Sequence, residues 1–280
     1  LIATRHSSHA DLVCRALRSE KAVFVEKPLA VNVDQLSRIL AEVDRTGIDR
    51  IMVGFNRRFA PLLTALHDSW GRPGPVHLRY DINAGGLDAG SWYGEPEQGS
   101  RLVGEGCHFI DTASWWIGSH PIDVAASSTP SEPDNSVLTV RYADGSVATI
   151  AYLTGGDPYY PKETMQVFGH GQVAKLDNFR ATELWRGGKR RTERSRNIDK
   201  GQRHELDLFV DAIVDGLPMP IALDSLVATT LATFAAEQSA STGERTEVKL
   251  EALRSVGSES EPSQPGSEES LLGVESSPIW

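Results

Sequence analysis

The sequence predicts an α/β unit followed by an α+β unit: a partial parallel sheet wound with helices, then a large open, mostly antiparallel sheet. Three observations carry this. Strand-like and helix-like runs alternate over residues 1–70, the order of βαβ units. Strand-like runs then cluster over 76–168, and two of them flank Ala143-Asp144-Gly145, a hairpin signal. Finally, 280 residues with 40% hydrophobic and 24% charged side chains are enough for two compact cores.

Residues 1–4 read as a strand already under way, and 8–17 as an amphipathic helix. With no initiator methionine and no glycine turn ahead of Leu1, an amino-terminally truncated fragment is expected. A strand over 22–25 leads to a helix over 34–44, for which Asn32 or Asp34 is the expected N-cap. A strand over 50–55 leads to a helix over 59–70. Strands then follow over 76–82, 122–127, 137–142, 147–153 and 165–168, packed on helices over 105–116, 204–215 and 224–240. The expected units are 1–56 and 57–250. From 251 to 280 the chain is Ser, Glu, Pro and Gly with few apolar groups, the composition of a disordered tail.

A net charge of −10 argues against a nucleic-acid partner. Cys14 and Cys107, the only cysteines, are too few for a disulfide framework. No apolar run is long enough to span a bilayer, and no signal peptide is visible, so a cytoplasmic protein without membrane partners is expected.

The most informative stretch is Val23-Phe24-Val25-Glu26-Lys27-Pro28, a buried-strand run that ends in a carboxylate, an amine and a ring. Ligands bind at the carboxyl ends of strands in open α/β sheets, and Pro28 fixes the turn that presents Lys27. A lysine at such a mouth is placed to meet a substrate hydroxyl, and removing that hydroxyl's proton needs a base within hydrogen-bond reach. Lys27 can polarise the alcohol oxygen, and His108 is the natural proton acceptor near neutral pH. Asp111 lies one helical turn beyond His108, placed either to orient the imidazole or to face the core.

Several stretches together resemble the Gfo/Idh/MocA oxidoreductases. They are Ile2-Ala3-Thr4-Arg5-His6 with Ser8-His9-Ala10, Glu26-Lys27-Pro28-Leu29-Ala30, and Val53-Gly54-Phe55-Asn56-Arg57-Arg58-Phe59. Gly106-Cys107-His108-Phe109-Ile110-Asp111, His204 to Phe209, and Asp211-Ala212-Ile213 complete the set. Asn83-Ala84-Gly85, Trp92, Glu95-Pro96-Glu97 and Arg101 to Asp111 are similar to the bi-domain branch, in which a zinc alcohol-dehydrogenase-like module comes first.

The resemblance implies a partial Rossmann NAD(P)-binding domain over 1–56 and a substrate and oligomerisation domain over 57–250. It implies NAD or NADP as cofactor and a polyol or sugar substrate. Homo-oligomers would form through the open sheet. Lys27, His108 and Glu105 are the implied catalytic residues. Thr4, Arg5, His6, His9, Glu26 and Asn56 lie on the cofactor side, with His9 also bracing the following helix. Asn83, Arg58 and Asp111 are the substrate candidates, with Arg57 beside them.

Gly104 stands where many members carry an aspartate four residues before the histidine, and Glu105 substitutes only if the local turn is not α-helical. Gly90-Ser91 also departs from the branch pattern, which leaves a catalytically silent scaffold as the alternative. A metal-dependent hydrolase or isomerase is a remoter one. No metal is expected, because His6 and His9 lack the spacing of a zinc helix and no cysteine pair supports them. Gly169-His170-Gly171 reads as a hairpin turn rather than a nucleotide loop, and Lys189-Arg190-Arg191 as a solvated loop.

Overall fold

The computed structural model describes residues 1–249 except Pro73, Ala89, Pro130 and Ser131, and except the side chains of Glu132 and Pro133. The tail expected over 251–280 lies outside the described residues.

The parallel sheet consists of β1 (Val23–Val25) and β2 (Ile51–Val53), with Ile2 bridged in parallel to Val25. The expected first strand is thus reduced to one ladder residue, Ile2, whose N–H donates to Phe24 and whose carbonyl accepts from Glu26, both at 2.8 Å. Helix α1 (His9–Arg18) buries Ala10, Val13, Cys14 and Leu17, one face of a 3.6-residue period. Helix α2 (Val33–Thr46) starts on Asn32, whose side chain accepts from the Gln35 N–H at 2.9 Å, which settles the N-cap. A 3₁₀ turn over Asn56–Phe59 then leads into α3 (Pro61–Trp70), with proline at the first position, where a missing N–H costs no hydrogen bond.

After β3 (His77–Asn83), a π-helical turn over Leu102–Gly106 runs into α4 (Cys107–Ile117). The remaining strands are β4 (Pro121–Thr129), β5 (Glu132–Tyr142), β6 (Val147–Leu153), β7 (Glu163–Gly169), β8 (Gln172–Asp177), β9 (Ala181–Arg186) and β10 (Lys189–Arg194). Helices α5 (Gln202–Val214) and α6 (Leu223–Thr242) and the short β11 (Thr246–Glu247) close the described chain. Among the described residues these strands form one nine-stranded sheet in the order β10-β9-β8-β7-β3-β6-β5-β4-β11. Neighbours are antiparallel except β3 and β6. One face buries Leu78, Tyr80, Ile82, Ile150, Tyr152, Met165 and Val167 with Phe109, Ile110 and Trp116 of α4 and the alanines of α6. The other face is open, and Val137, Leu153, Phe168 and Trp185 each stay 42–44% exposed.

Two expectations fail here. Strands β9 and β10 extend the sheet beyond the expected set, and the basic run Lys189-Arg190-Arg191 is part of an edge strand rather than a loop. An edge strand with every side chain solvated carries no apolar alternation, and its charge blunts edge-to-edge pairing. Helix α5 does not pack on the large sheet. Its Phe209 meets Phe24 of β1 edge-on at 5.7 Å, and Phe209, Ile221, Leu226 and Leu231 complete the core around the parallel sheet. The hairpins behave as expected: His170 and Gly171, with φ of 52° and 70°, form the two-residue turn between β7 and β8.

Candidate active site

The chain leaves β1 at its carboxyl end through Glu26 and Lys27. Lys27 Nζ donates to the Tyr93 hydroxyl at 2.7 Å. Tyr93 sits in a 3₁₀ turn, Trp92–Gly94, and the rings of Trp92 and Tyr93 both stand edge-on to His6, at 4.9 and 4.8 Å. His6 is buried, and its Nδ1–H donates to the Gln98 carbonyl at 3.0 Å. Burial takes its imidazole down to about 4, helped by the charges of Lys27 and His9. Gly104 closes this group. A Cβ there would stand 2.7 Å from His6 Cε1 and 3.0 Å from Tyr93 Cε1, so two rings fill the space an aspartate would need.

The π-helical turn answers the question of Glu105. Its wider turn replaces the 3.6-residue advance of an α-helix, and Glu105 comes within the field of Lys27. The Tyr152 hydroxyl donates to Glu105 Oε2, and Arg101 Nη2 lies 3.5 Å from the same oxygen. Burial opposes ionisation of Glu105, but the Tyr152 hydroxyl, Lys27 and Arg101 outweigh it and hold the carboxyl below its ordinary range. His108 follows in the first turn of α4, 8% exposed, with Nδ1 buried and unpartnered and Phe55 edge-on at 6.0 Å. Burial, then the charges of Arg57, Lys27, Lys200 and Lys162, hold the imidazole well below 6.5, so it is neutral at pH 7.

Asp111 does not orient His108. It binds Arg58 through both oxygens, Nε donating at 3.0 Å and Nη2 donating to Oδ1, and both side chains are buried. Arg58 and Asp111 therefore neutralise each other as a structural pair and are not available to a substrate. Arg57 is likewise buried, and its Nε and Nη2 donate to Glu163 at 2.8 and 3.0 Å. Lys200 Nζ, at 2.6 Å, and the Tyr80 hydroxyl, at 2.7 Å, also donate to Glu163, whose carboxyl falls to about 2 because Arg57 and Lys200 outweigh its burial. Glu205, buried near Glu26 and Asp111, is pushed by burial and by those two charges up to about 9 and holds its proton at pH 7.

Thr4 and Arg5 are exposed at the loop after Ile2, and Arg5 Nη1 donates to Glu95 at 2.8 Å. Glu26 is exposed beside Gly54, where a Cβ would stand 3.0 Å from its Oε2. Three expected site residues turn elsewhere. His9 is fully buried, with Nδ1 on the Pro28 carbonyl at 2.8 Å and Nε2 on the Thr4 carbonyl at 3.1 Å, so it braces two loops and has no nitrogen left for a cofactor. The Asn56 amide donates to the Lys200 carbonyl at 2.7 Å. Asn83 shares the open face of the sheet with its register partner Leu153, opposite to Tyr152, and its amide donates to Asp157 at 2.7 Å.

Glu105, His6 and His108 thus all lie within the electrostatic reach of Lys27, and Tyr93, Tyr152, Arg101, Glu163 and Lys200 are surrounding residues that sequence reasoning did not single out. One signal was available. Glu163, Met165 and Val167 share the buried face of a strand, and a carboxylate on an apolar stripe demands a cationic partner.

A family profile described as "Oxidoreductase family, NAD-binding Rossmann fold" matches residues 1–55, and one described as "GFO/IDH/MocA C-terminal domain" matches 67–174. The chain is 29% identical over 196 residues to the uncharacterized oxidoreductase YrbE of Bacillus subtilis (strain 168), covering 63% of this chain and 54% of that one. It is 31% identical over 134 residues to inositol 2-dehydrogenase of Rhizobium meliloti (strain 1021), covering 46% of this chain and 39% of the relative. It therefore spans about half the length or less of these curated relatives. The solved structure of an oxidoreductase domain protein from Kribbella flavida superposes with a TM-score of 0.77 at 18% identity, over 88% of this chain and 79% of the other. A Rossmann-type parallel sheet followed by a large mixed sheet, matched by profiles across both parts, makes this chain a member of the Gfo/Idh/MocA oxidoreductase family.

Proposed function

We propose that the chain carries the reaction site of an NAD(P)-dependent oxidoreductase that transfers a hydride between nicotinamide and a secondary alcohol of a sugar, cyclitol or related polyol. The observation that supports this most is that an ammonium, Lys27, acts electrostatically on an imidazole, His108, that burial and cationic neighbours keep deprotonated. A neutral imidazole is the form a base requires.

The nicotinamide end of a dinucleotide fits the residues present. The loops after Ile2, β1 and β2 all leave the carboxyl edge of the parallel sheet, and Thr4, Arg5 and Glu26 stay exposed there to hold the cofactor's polar groups. When bound, nicotinamide supplies the hydride acceptor. Lys27 donates a hydrogen bond to the alcohol oxygen, exchanging the Tyr93 hydroxyl for it. His108 takes the hydroxyl proton as the carbon gives up its hydride, leaving a ketone. Glu105, fixed by Tyr152, balances the Lys27 charge and keeps the ammonium over the oxygen. Self-association is assigned to the open sheet face around Val137, Leu153, Phe168 and Trp185. A reducing cytoplasm is assigned from the buried free thiols of Cys14 and Cys107.

The test is nicotinamide reduction by the full-length chain with NAD⁺ or NADP⁺ over a panel of sugars and inositols. Lys27→Met and His108→Ala are each expected to lower kcat about 10²- to 10⁴-fold with circular dichroism unchanged. Turnover at the parent rate in both variants ends the proposal.

A further inference from the structure

The Tyr93 ring is fixed by contacts that do not involve its hydroxyl. Its segment is tied to the loop after Ile2 at three points. Arg5 Nη1 donates to Glu95 at 2.8 Å, and His6 Nδ1–H donates to the Gln98 carbonyl at 3.0 Å. Gln98, 2% exposed, closes a reciprocal pair with Ser7: the Ser7 N–H donates to its Oε1 at 3.1 Å, and its Nε2 donates to the Ser7 hydroxyl at 3.2 Å. Held in this way, the half-buried Tyr93 ring lies 4.4 Å from Trp92 and 4.8 Å from His6. Gly104 makes the room, because a Cβ there would stand 3.0 Å from Tyr93 Cε1.

The hydroxyl has one partner among the described residues, Lys27 Nζ at 2.7 Å. An ammonium has three donors and no acceptor, so this bond occupies the phenol's oxygen and leaves its proton unspent. Burial outweighs the Lys27 charge and lifts the phenol above its ordinary range, so it keeps that proton at neutral pH. A fixed donor with no acceptor of its own therefore stands in contact with the Lys27 ammonium, available to whatever oxygen Lys27 receives.

We infer that Tyr93 is a further catalytic residue, a second hydrogen-bond donor to the reacting oxygen. When the alcohol replaces the phenol as the acceptor for Lys27, its oxygen enters between the two side chains. It takes one hydrogen bond from Nζ and one from the Tyr93 hydroxyl. Negative charge grows on that oxygen as its proton leaves, and a hydrogen bond to an ionised oxygen is about twice as strong as one to a neutral oxygen. Tyr93 thus acts mainly on the transition state. It keeps its own proton throughout; the transferred proton goes to His108, in the hydride-transfer reading on which the inference rests.

The test is steady-state oxidation of myo-inositol, scyllo-inositol, D-glucose and D-galactose by the full-length chain with NAD⁺ or NADP⁺. Tyr93→Phe keeps the ring against His6 and Trp92 and removes only the donor. It is expected to lower kcat about 10- to 100-fold, less than the loss of a sole oxyanion donor, because Lys27 remains. KM should stay within about threefold of the parent, and the urea midpoint should not move. Replacing Tyr93 by 3-fluorotyrosine keeps the hydroxyl and makes it a stronger donor, so kcat should stay at or above the parent value. A parent or higher kcat in Tyr93→Phe, or a rise in KM alone, would overturn the inference; with Lys27→Met still slow, the hydride-transfer reading would stand. An equal loss in the 3-fluorotyrosine chain would overturn it too. If the parent oxidises none of these compounds, the hydride-transfer reading and the inference fall together.

Discussion

Replacing Glu163 by glutamine keeps the shape of a fully buried side chain and removes the charge that three others share. Arg57, Lys200 and Tyr80 all donate to it, at 2.6–3.0 Å. A carboxyl that ionises near 2 in the folded protein, against 4.5 when unperturbed, stabilises the fold by about 3 kcal/mol at neutral pH. Glutamine offers one acceptor oxygen, and its amide hydrogens would face a guanidinium or an ammonium. The expected loss is therefore about 3–5 kcal/mol, the range for a buried ion pair stripped of one partner. Because the folded pKa lies below the unfolded one, the contribution is complete above 4.5 and drains away as pH falls towards 2. Urea unfolding of the parent and of Glu163→Gln should show the full gap at pH 7 and about half of it or less at pH 3. A gap under about 1 kcal/mol at pH 7, or one that does not narrow in acid, refutes the account of a buried carboxylate held ionised by Arg57 and Lys200.

Glu205→Gln should act with the opposite sign. A folded pKa of about 9 against 4.5 means that stability is lost as pH rises between those values, so the variant should match the parent near pH 4 and exceed it by about 2 kcal/mol or more at pH 8. Equal differences at both pH values in urea would contradict this. Asp111→Asn leaves Arg58 buried without a counter-charge and should cost about 3–5 kcal/mol, while Arg58→Met combined with Asp111→Leu should recover most of it in a double-mutant cycle. The acid limb of the oxidation pH profile should lie below 6.5, the ordinary histidine value. Lys200→Met should move it upward, because removing a nearby positive charge eases protonation of His108. A limb at or above 6.5 in the parent would show that the imidazole is not held neutral in the way described.

The residues legible from sequence were those whose position follows from a single element. Lys27 ends an apolar β-branched run, and any strand of that kind delivers its next residues to the sheet edge. His108 opens a helix whose apolar content forces it inward. What stayed hidden was the choice of partner, which local spacing does not encode. Asp111 is one turn from His108, yet it binds Arg58, 53 residues away; Arg57 finds Glu163 across 106 residues. Local rules also failed where the backbone left its standard geometry. The π-helical turn over Leu102–Gly106 has no residue pattern that distinguishes it from an α-helical turn, yet it decides where Glu105 goes.

These hidden pairings set the electrostatics of the site. Had Asp111 faced His108, as its spacing allowed, a carboxylate would have raised the imidazole's affinity for a proton. Because Arg58 takes Asp111, and Glu163 cannot fully neutralise both Arg57 and Lys200, the field at His108 is positive, and burial together with that field keeps the imidazole free of its proton. Gly104 belongs to the same logic. An aspartate there would add a negative charge beside Lys27 and would collide with His6 and Tyr93. Its absence is therefore no sign of a dead site: the Tyr93 hydroxyl supplies a neutral partner for Lys27, and the positive surroundings on which a deprotonated His108 depends are preserved.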